Sequence, residues 1–194
     1  MRVVAGSHRG RRILAPEGRV LRPTADRVRE AVFNTLVHGG PGADGKDAVT
    51  GARVLDAFAG TGAMGLEAVS RGAAHATLME QDRTALDFCR ANTRALGEAA
   101  RVTVLGGDCT RPVRAAESCT LVFLDPPYRS GLAAPALTAL AEAGWIAPGA
   151  VCVVELQAKE AFDPPDAAAP LDERRYGAAR IVYLRWDGPD SPQQ

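Results

Sequence analysis

With 194 residues, 46% hydrophobic and 24% charged, the chain is long enough for one domain with a full core and has an ordinary globular composition. The formal net charge is zero, so total charge points to no polyanionic partner. No apolar run approaches the roughly 20 residues that span a bilayer, and the N-terminus carries no signal-peptide pattern. Cys89, Cys109, Cys119 and Cys152 are scattered without a C-x-x-C pair, and His8, His38 and His75 are isolated. That argues against zinc and disulfides, so no metal is expected, and it suits a reducing cytoplasm.

The first elements are "RVVAG" and "RRILAP" around "SHRG", which read as a short hairpin with a basic turn. Between Met1 and Glu30 lie Arg2, Arg9, Arg11, Arg12, Arg19, Arg22, Arg27 and Arg29, against only Glu17, Asp26 and Glu30. Such a basic arm is either a phosphate-binding surface or a solvated one. From Thr24 the texture turns helical. Val28, Ala31, Val32, Phe33, Leu36 and Val37 make one apolar face, with Thr24 or Asp26 as the cap. Residues 39–51 are a loop by composition.

Strands and helices then alternate. Strands are predicted at "ARVLDAF", "HATLMEQ", "RVTVLGGD", "CTLVFLD" and "AVCVVEL", and helices over 62–71, 82–96 and 132–143. This alternation predicts an α/β fold, an open and mostly parallel sheet with helices on both faces. Residues 158–171 read as loop. "ERRYGAARIVYLRW" reads as two strands joined around Gly177, an antiparallel hairpin closing a seven-stranded sheet. The expected organisation is a basic hairpin extension over 1–22, a main domain over 23–186, and a loose tail over 187–194.

"VLDAFAGTGAMGLEA" places Gly60, Gly62 and Gly65 as G-x-G-x-x-G between a strand and a helix, and Glu80 closes the next strand 20 positions after Gly60. That spacing matches a dinucleotide fingerprint, whose acid binds a ribose hydroxyl. Charge argues for another ligand. Asp56, four residues before Gly60 at the strand tip, would repel a pyrophosphate but suits an ammonium and a sulfonium. S-adenosylmethionine carries both, has no phosphate, and keeps the ribose for Glu80. Asp108 ends the third strand, where a polar side chain can reach an adenine amino group or simply close a turn.

In "LVFLDPPYRSG" a buried strand ends in Asp125, Pro126, Pro127 and Tyr128. An exocyclic amine on a nucleobase is a poor nucleophile, because its lone pair is delocalised into the ring. A carboxylate at Asp125 can accept one N–H of such an amine and the Pro126 carbonyl the other. The prolines hold these acceptors ready, and Tyr128 can stack on a base taken out of its helix.

"VLDAFAGTGAMGLEA", "MEQD" and "FLDPPY" resemble the amino-methyltransferases that act on exocyclic nitrogens. "RGRRI", "LRPTADRVREAVFN" and "GLEAVSRGA" narrow the resemblance to the family of ribosomal RNA small subunit methyltransferase D, over residues 1–186. The resemblance implies a class I, Rossmann-like methyltransferase fold and methylation of N2 of a guanine in 16S ribosomal RNA; separately, a monomer is expected. It implies S-adenosylmethionine held by Asp56, Phe58, Ala59, Gly60 and Gly62, by Glu80 and Gln81, by Asp108 and Cys109, and by Asp125. It also moves the basic arm toward RNA contact through His8, Arg9, Arg11, Arg12, Arg22 and Arg27. The family's fifth strand often ends with two acids, whereas here Glu155 is followed by Leu156. A methyltransferase acting on DNA adenine or a protein glutamine is the alternative, and a nicotinamide-dependent oxidoreductase a more distant one. Guanine fits an acid better than adenine does, since its pairing edge offers two adjacent donors.

Overall fold

The computed structural model describes residues 1–16, 23–38 and 47–188. Arg22 and the Thr24 side chain, named above as an RNA contact and a cap, lie outside them, as does most of the predicted 39–51 loop.

Helix α1 spans Pro23–Val37. Strands β1 (Arg53–Ala57), β2 (His75–Glu80), β3 (Val102–Gly106), β4 (Cys119–Leu124) and β5 (Ile146–Gln157) then alternate with helices α2 (Ala63–Ser70), α3 (Arg83–Leu96) and α4 (Ala133–Glu142). β6 (Ala168–Tyr176) and β7 (Ala179–Trp186) follow. The sheet order is β3-β2-β1-β4-β5-β7-β6, with β1 to β5 parallel and β7 antiparallel to both neighbours. The expected seven-stranded, mostly parallel sheet is therefore present.

Burial explains why the last strand in sequence is not the last in the sheet. Ile181, Val182, Tyr183 and Leu184 of β7 are all buried, so both of its faces need cover. β6 carries Asp172, Glu173, Arg174 and Arg175, and a charged strand suits an edge. β6 begins at Ala168, so the predicted 158–171 loop is shorter than composition suggested. β5 begins earlier than predicted, at Ile146, with a register shift against β4 between Cys119 and Leu121.

The sheet separates two apolar layers. On one face Val54, Leu78, Phe123 and Val153 pack with Val32, Phe33 and Leu36 of α1, Leu66 and Val69 of α2, and Cys89 and Leu96 of α3. On the other, Leu55, Val122, Leu124 and Val154 pack with Leu137 and Leu140 of α4 and with Trp145. Asp82 caps α3, its side chain accepting from the Ala85 amide at 2.8 Å.

The N-terminal hairpin is present in reduced form. One bridge joins Arg2 and Arg12, and a 3-10 turn spans Gly6–His8. Two continuous strands do not form, because the backbone finds partners on the main domain. The Val4 and Ala5 amides donate to Glu67 at 2.8 and 2.9 Å, and the His8 amide to Ser70 Oγ at 3.0 Å. Val3 and Ile13 enter the same core as α1 and α2. At the other end Asp187 pairs with Arg185, and its amide donates to the Ala167 carbonyl at 2.8 Å.

Candidate active site

Four acids reach one face of the sheet at the carboxyl ends of neighbouring strands. Asp56 pairs with Leu78 on β2 and with Phe123 on β4, and Phe123 pairs with Val153 on β5. Two residues further on in β2 stands Glu80, and two further on from Phe123 and Val153 stand Asp125 and Glu155. Side chains two apart share a face, so Asp56, Glu80, Asp125 and Glu155 line one side of the crevice where α/β sheets bind ligands.

The strand-to-helix turn after β1 is built from left-handed residues. Phe58 has φ +60°, Gly60 +58° and Gly62 +78°. The glycines divide the work. A Cβ on Gly65 would come within 2.3 Å of Leu78 Cδ2, so this position lets α2 lie close on the sheet. A Cβ on Gly62 would meet Leu78 Cδ1 at 2.7 Å. A Cβ on Gly60 would meet nothing within 4 Å, which leaves that side of the loop open to a ligand. Phe58 has no such licence. Its left-handed backbone is held in place, with its amide hydrogen-bonded to the Cys109 sulfur and its ring against the second apolar layer. Burial pushes the Cys109 thiol up to about 12, so it stays neutral.

Glu80 organises the loop. It accepts the Gly60 amide at 2.9 Å, the Gln81 amide at 2.8 Å and the Asp82 amide at 2.9 Å. A carboxylate has about four acceptor sites, so one remains for a ribose hydroxyl. The Ala59 amide is held by the Met79 carbonyl at 3.0 Å. Asp108 is a turn residue in this structure. It accepts the Thr110 amide at 2.8 Å and hydroxyl at 2.7 Å and pairs with Arg111 at 3.2 Å. The Thr110 hydroxyl, its amide and then Arg111 hold its carboxyl below the usual range.

Asp56 lies deeper than its place in the sequence suggests. It is only 3% exposed, beneath the loop, with Oδ2 accepting the Gly65 amide at 2.8 Å. Burial pushes its carboxyl up to about 7; the Gly65 amide opposes this and the Glu80 charge adds to it. The sign follows from proton counting. Between 3.8 and about 7 the folded protein keeps a proton that the unfolded chain gives up, so this group's contribution to stability falls as pH rises through that window. Asp56→Asn keeps an oxygen for the Gly65 amide and cannot titrate. Its urea midpoint relative to the parent is expected to climb with pH across the window, and a constant offset would rule out a buried, titrating Asp56.

Just after β4, Pro126 is buried and Asp125, Pro127 and Tyr128 are exposed. The Asp125 amide donates to the Ala57 carbonyl at 3.4 Å, which sets the motif beside the glycine loop. Two side chains tie the segment to β5. Tyr128 donates its hydroxyl to Glu155 Oε1 at 2.9 Å, and Arg129 Nε donates to Gln157 Oε1 at 2.6 Å. Burial raises the Glu155 carboxyl above its ordinary value, and the Tyr128 bond pulls it back.

Two supporting residues escaped the sequence reading. Asn92 of α3 is 1% exposed and donates to the Thr61 and Leu14 carbonyls, both at 3.0 Å, while accepting the Leu14 amide at 2.7 Å. It joins the basic arm to the glycine loop, and Cys89 one turn earlier donates to the Gly60 carbonyl at 3.3 Å. Glu67 of α2 is fully buried. Besides the Val4 and Ala5 amides, it pairs with Arg71 at 2.8 Å and Arg29 at 3.5 Å. Both were visible in principle as polar residues on apolar helix faces, since a buried polar group needs partners. In the arm, His8 is tied to Glu98, and Arg11 donates to the Ala95 carbonyl at 2.6 Å. Arg9, Arg12 and Arg27 are exposed and make no side-chain hydrogen bond or ion pair among the described residues. Among the described residues no cluster suits a metal and no helix is long and apolar enough to cross a membrane.

The family model described as "Conserved hypothetical protein 95" matches residues 1–185. Ribosomal RNA small subunit methyltransferase D of Escherichia coli strain K12 is 36% identical over 183 residues, covering 94% of this chain and 87% of that protein. A solved structure described as a putative methyltransferase, yhhF, from Escherichia coli superposes with a TM-score of 0.81 at 33% identity, covering 97% of this chain and 98% of that one. An RNA methyltransferase from Salinibacter ruber in complex with S-adenosyl-L-homocysteine shares the fold at 17% identity, with a TM-score of 0.63 over 86% of this chain and 95% of that one. A family model that spans nearly the whole chain, and a relative of this identity and coverage, place the chain in the family of ribosomal RNA small subunit methyltransferase D.

Proposed function

We propose that this protein transfers a methyl group from S-adenosylmethionine to the 2-amino group of a guanine in small-subunit ribosomal RNA. The observation that carries the reading is the placement of Asp125, Pro126, Pro127 and Tyr128 beside the open side of the glycine loop, in a chain of this family. When bound, S-adenosylmethionine supplies a methyl group on a sulfonium sulfur, and its departure leaves a neutral thioether. The chain's own residues do the rest. Gly60 leaves room for the ligand, Glu80 takes a ribose hydroxyl, and Phe58, Ala59, Gly62, Gln81 and Cys109 shape the pocket. Asp108 takes the adenine amino group on Oδ2 in place of the exposed Arg111, while Oδ1 keeps the Thr110 turn. Asp56, set under the loop, once ionised above about 7 favours a cation above it and disfavours a pyrophosphate. Asp125 and the Pro126 carbonyl accept the two N–H groups of the target amine and aim its lone pair at the methyl group. The proton lost from nitrogen after transfer passes to Asp125 or to water. Tyr128 carries the base on its ring.

The name of the E. coli relative supports an RNA substrate. Within that reading the N-terminal arm orients the RNA through Arg9 and Arg12, with Arg27 of α1 and Arg22 as further phosphate contacts. His8 and Arg11 divide their charge between RNA and docking of the arm. Residues 23–186 carry the transfer. The protein acts in the cytoplasm, as a monomer, on ribosomal RNA within a particle.

The test incubates the protein, methyl-labelled S-adenosylmethionine and small-subunit particles lacking guanine-N2 methylation, followed by digestion and mass mapping. The label is expected on N2 of one guanine. Label on adenine, on glutamine or nowhere would overturn the reading, as would a melting temperature raised by NAD and not by S-adenosylmethionine.

A further inference from the structure

The proposed transfer uses Asp125 but leaves the neighbouring acid, Glu155, without a task. The last parallel pair between β4 and β5 is Leu124 with Val154. One residue further, Asp125 and Glu155 stand on adjacent strand ends, roughly 5 Å apart along the sheet, on the same side. Glu155 is half-buried, and one oxygen is already placed, because Tyr128 donates its hydroxyl to Oε1 at 2.9 Å. Among the described residues the Glu155 side chain makes no other hydrogen bond. The Tyr128 ring and the Glu155 carboxylate are therefore positioned as a unit.

A base stacked on Tyr128 with its amine at Asp125 lays its pairing edge along the line from Asp125 to Glu155. In guanine the group next to the 2-amino group is N1–H, a donor. In adenine the ring nitrogen next to the amine is an acceptor, which a carboxylate repels. We propose that Glu155 is a specificity-determining residue: its second oxygen accepts N1–H of the target guanine while Asp125 accepts from the 2-amino group. This rests on the reading of the target as a guanine 2-amino group. It also gives this chain a use for the lone acid at the end of β5.

The test uses 2-aminopurine, which keeps the 2-amino group but has an acceptor at N1. Particles are rebuilt with guanine or 2-aminopurine at the position mapped for the parent enzyme, and kcat/KM is measured for both. The parent is expected to favour guanine by about 10- to 100-fold, the range for one hydrogen bond to a charged group. In Glu155→Gln the Tyr128 hydroxyl still takes the amide oxygen, so the amide N–H falls where the second carboxylate oxygen was. That group pairs with an N1 acceptor, and the preference is expected to shrink at least tenfold or invert. Glu155→Ala removes both contacts and is expected to fall between. The ratio is taken within one preparation, so differences in folded fraction and in the intrinsic reactivity of the two amines cancel between variants. If Glu155→Gln slows both substrates equally, Glu155 only props Tyr128 and the inference falls while the guanine reading stands. If the parent methylates no guanine at N2, the reading of the site and the inference fall together.

Discussion

Asp125→Ala is expected to bind S-adenosylmethionine nearly as tightly as the parent and to transfer methyl groups about 100- to 1000-fold more slowly. The amine's lone pair is delocalised in the ground state, and positive charge grows on nitrogen as the new bond forms. An acceptor that is in place before the reaction stabilises that charge without reorganising, and the two following prolines hold it there. The proposed cofactor contacts other than Asp125 lie on or beside other strands. Glu80 closes β2 and accepts the Gly60 amide, and the glycine loop follows β1. The measurement pairs calorimetry of cofactor binding with single-turnover methylation of particles. A variant that turns over at near-parent rate would remove Asp125 from the chemistry. A variant that loses both activities together would make it a folding or cofactor residue.

Glu67→Ala is expected to lower the melting temperature by about 10 °C and to free the N-terminal arm. Glu67 is fully buried between Arg29, which is 4% exposed, and Arg71, which is 10% exposed. Removing one partner of a buried ion pair leaves the other charge uncompensated, a cost of roughly 3–5 kcal/mol. In a protein of this size each kcal/mol lowers the melting temperature by about 2–4 °C. The same substitution strips the Val4 and Ala5 amides of their acceptor. Hydrogen exchange at those amides should therefore rise along with the loss of stability. A parent-like melting curve with both amides still protected would show that Glu67 does not hold the arm.

Much of this protein is written locally. The strand–helix alternation, the glycine loop with Glu80 at its spacing, and the D-P-P-Y segment are short-range patterns. Each is a short motif or a fixed spacing along the chain, so it can be read from the sequence alone. Asp82 as the cap of α3 belongs to the same class. Other features depend on residues far apart in sequence. Asp56 reads as a strand-tip ligand, yet the packing of α2 over β1, permitted by Gly65, buries it. The arginines of the arm look alike in sequence. Only docking separates Arg11 on the Ala95 carbonyl and buried Arg29 on Glu67 from the exposed Arg9 and Arg12. Asn92 and Glu67 gain their roles from partners more than 30 positions away, and Tyr128 meets Glu155 because β4 and β5 pair in one particular register. Strand register and helix packing are collective choices made by burying apolar faces over the whole sheet, so side chains meet across it in ways that no short stretch of sequence encodes.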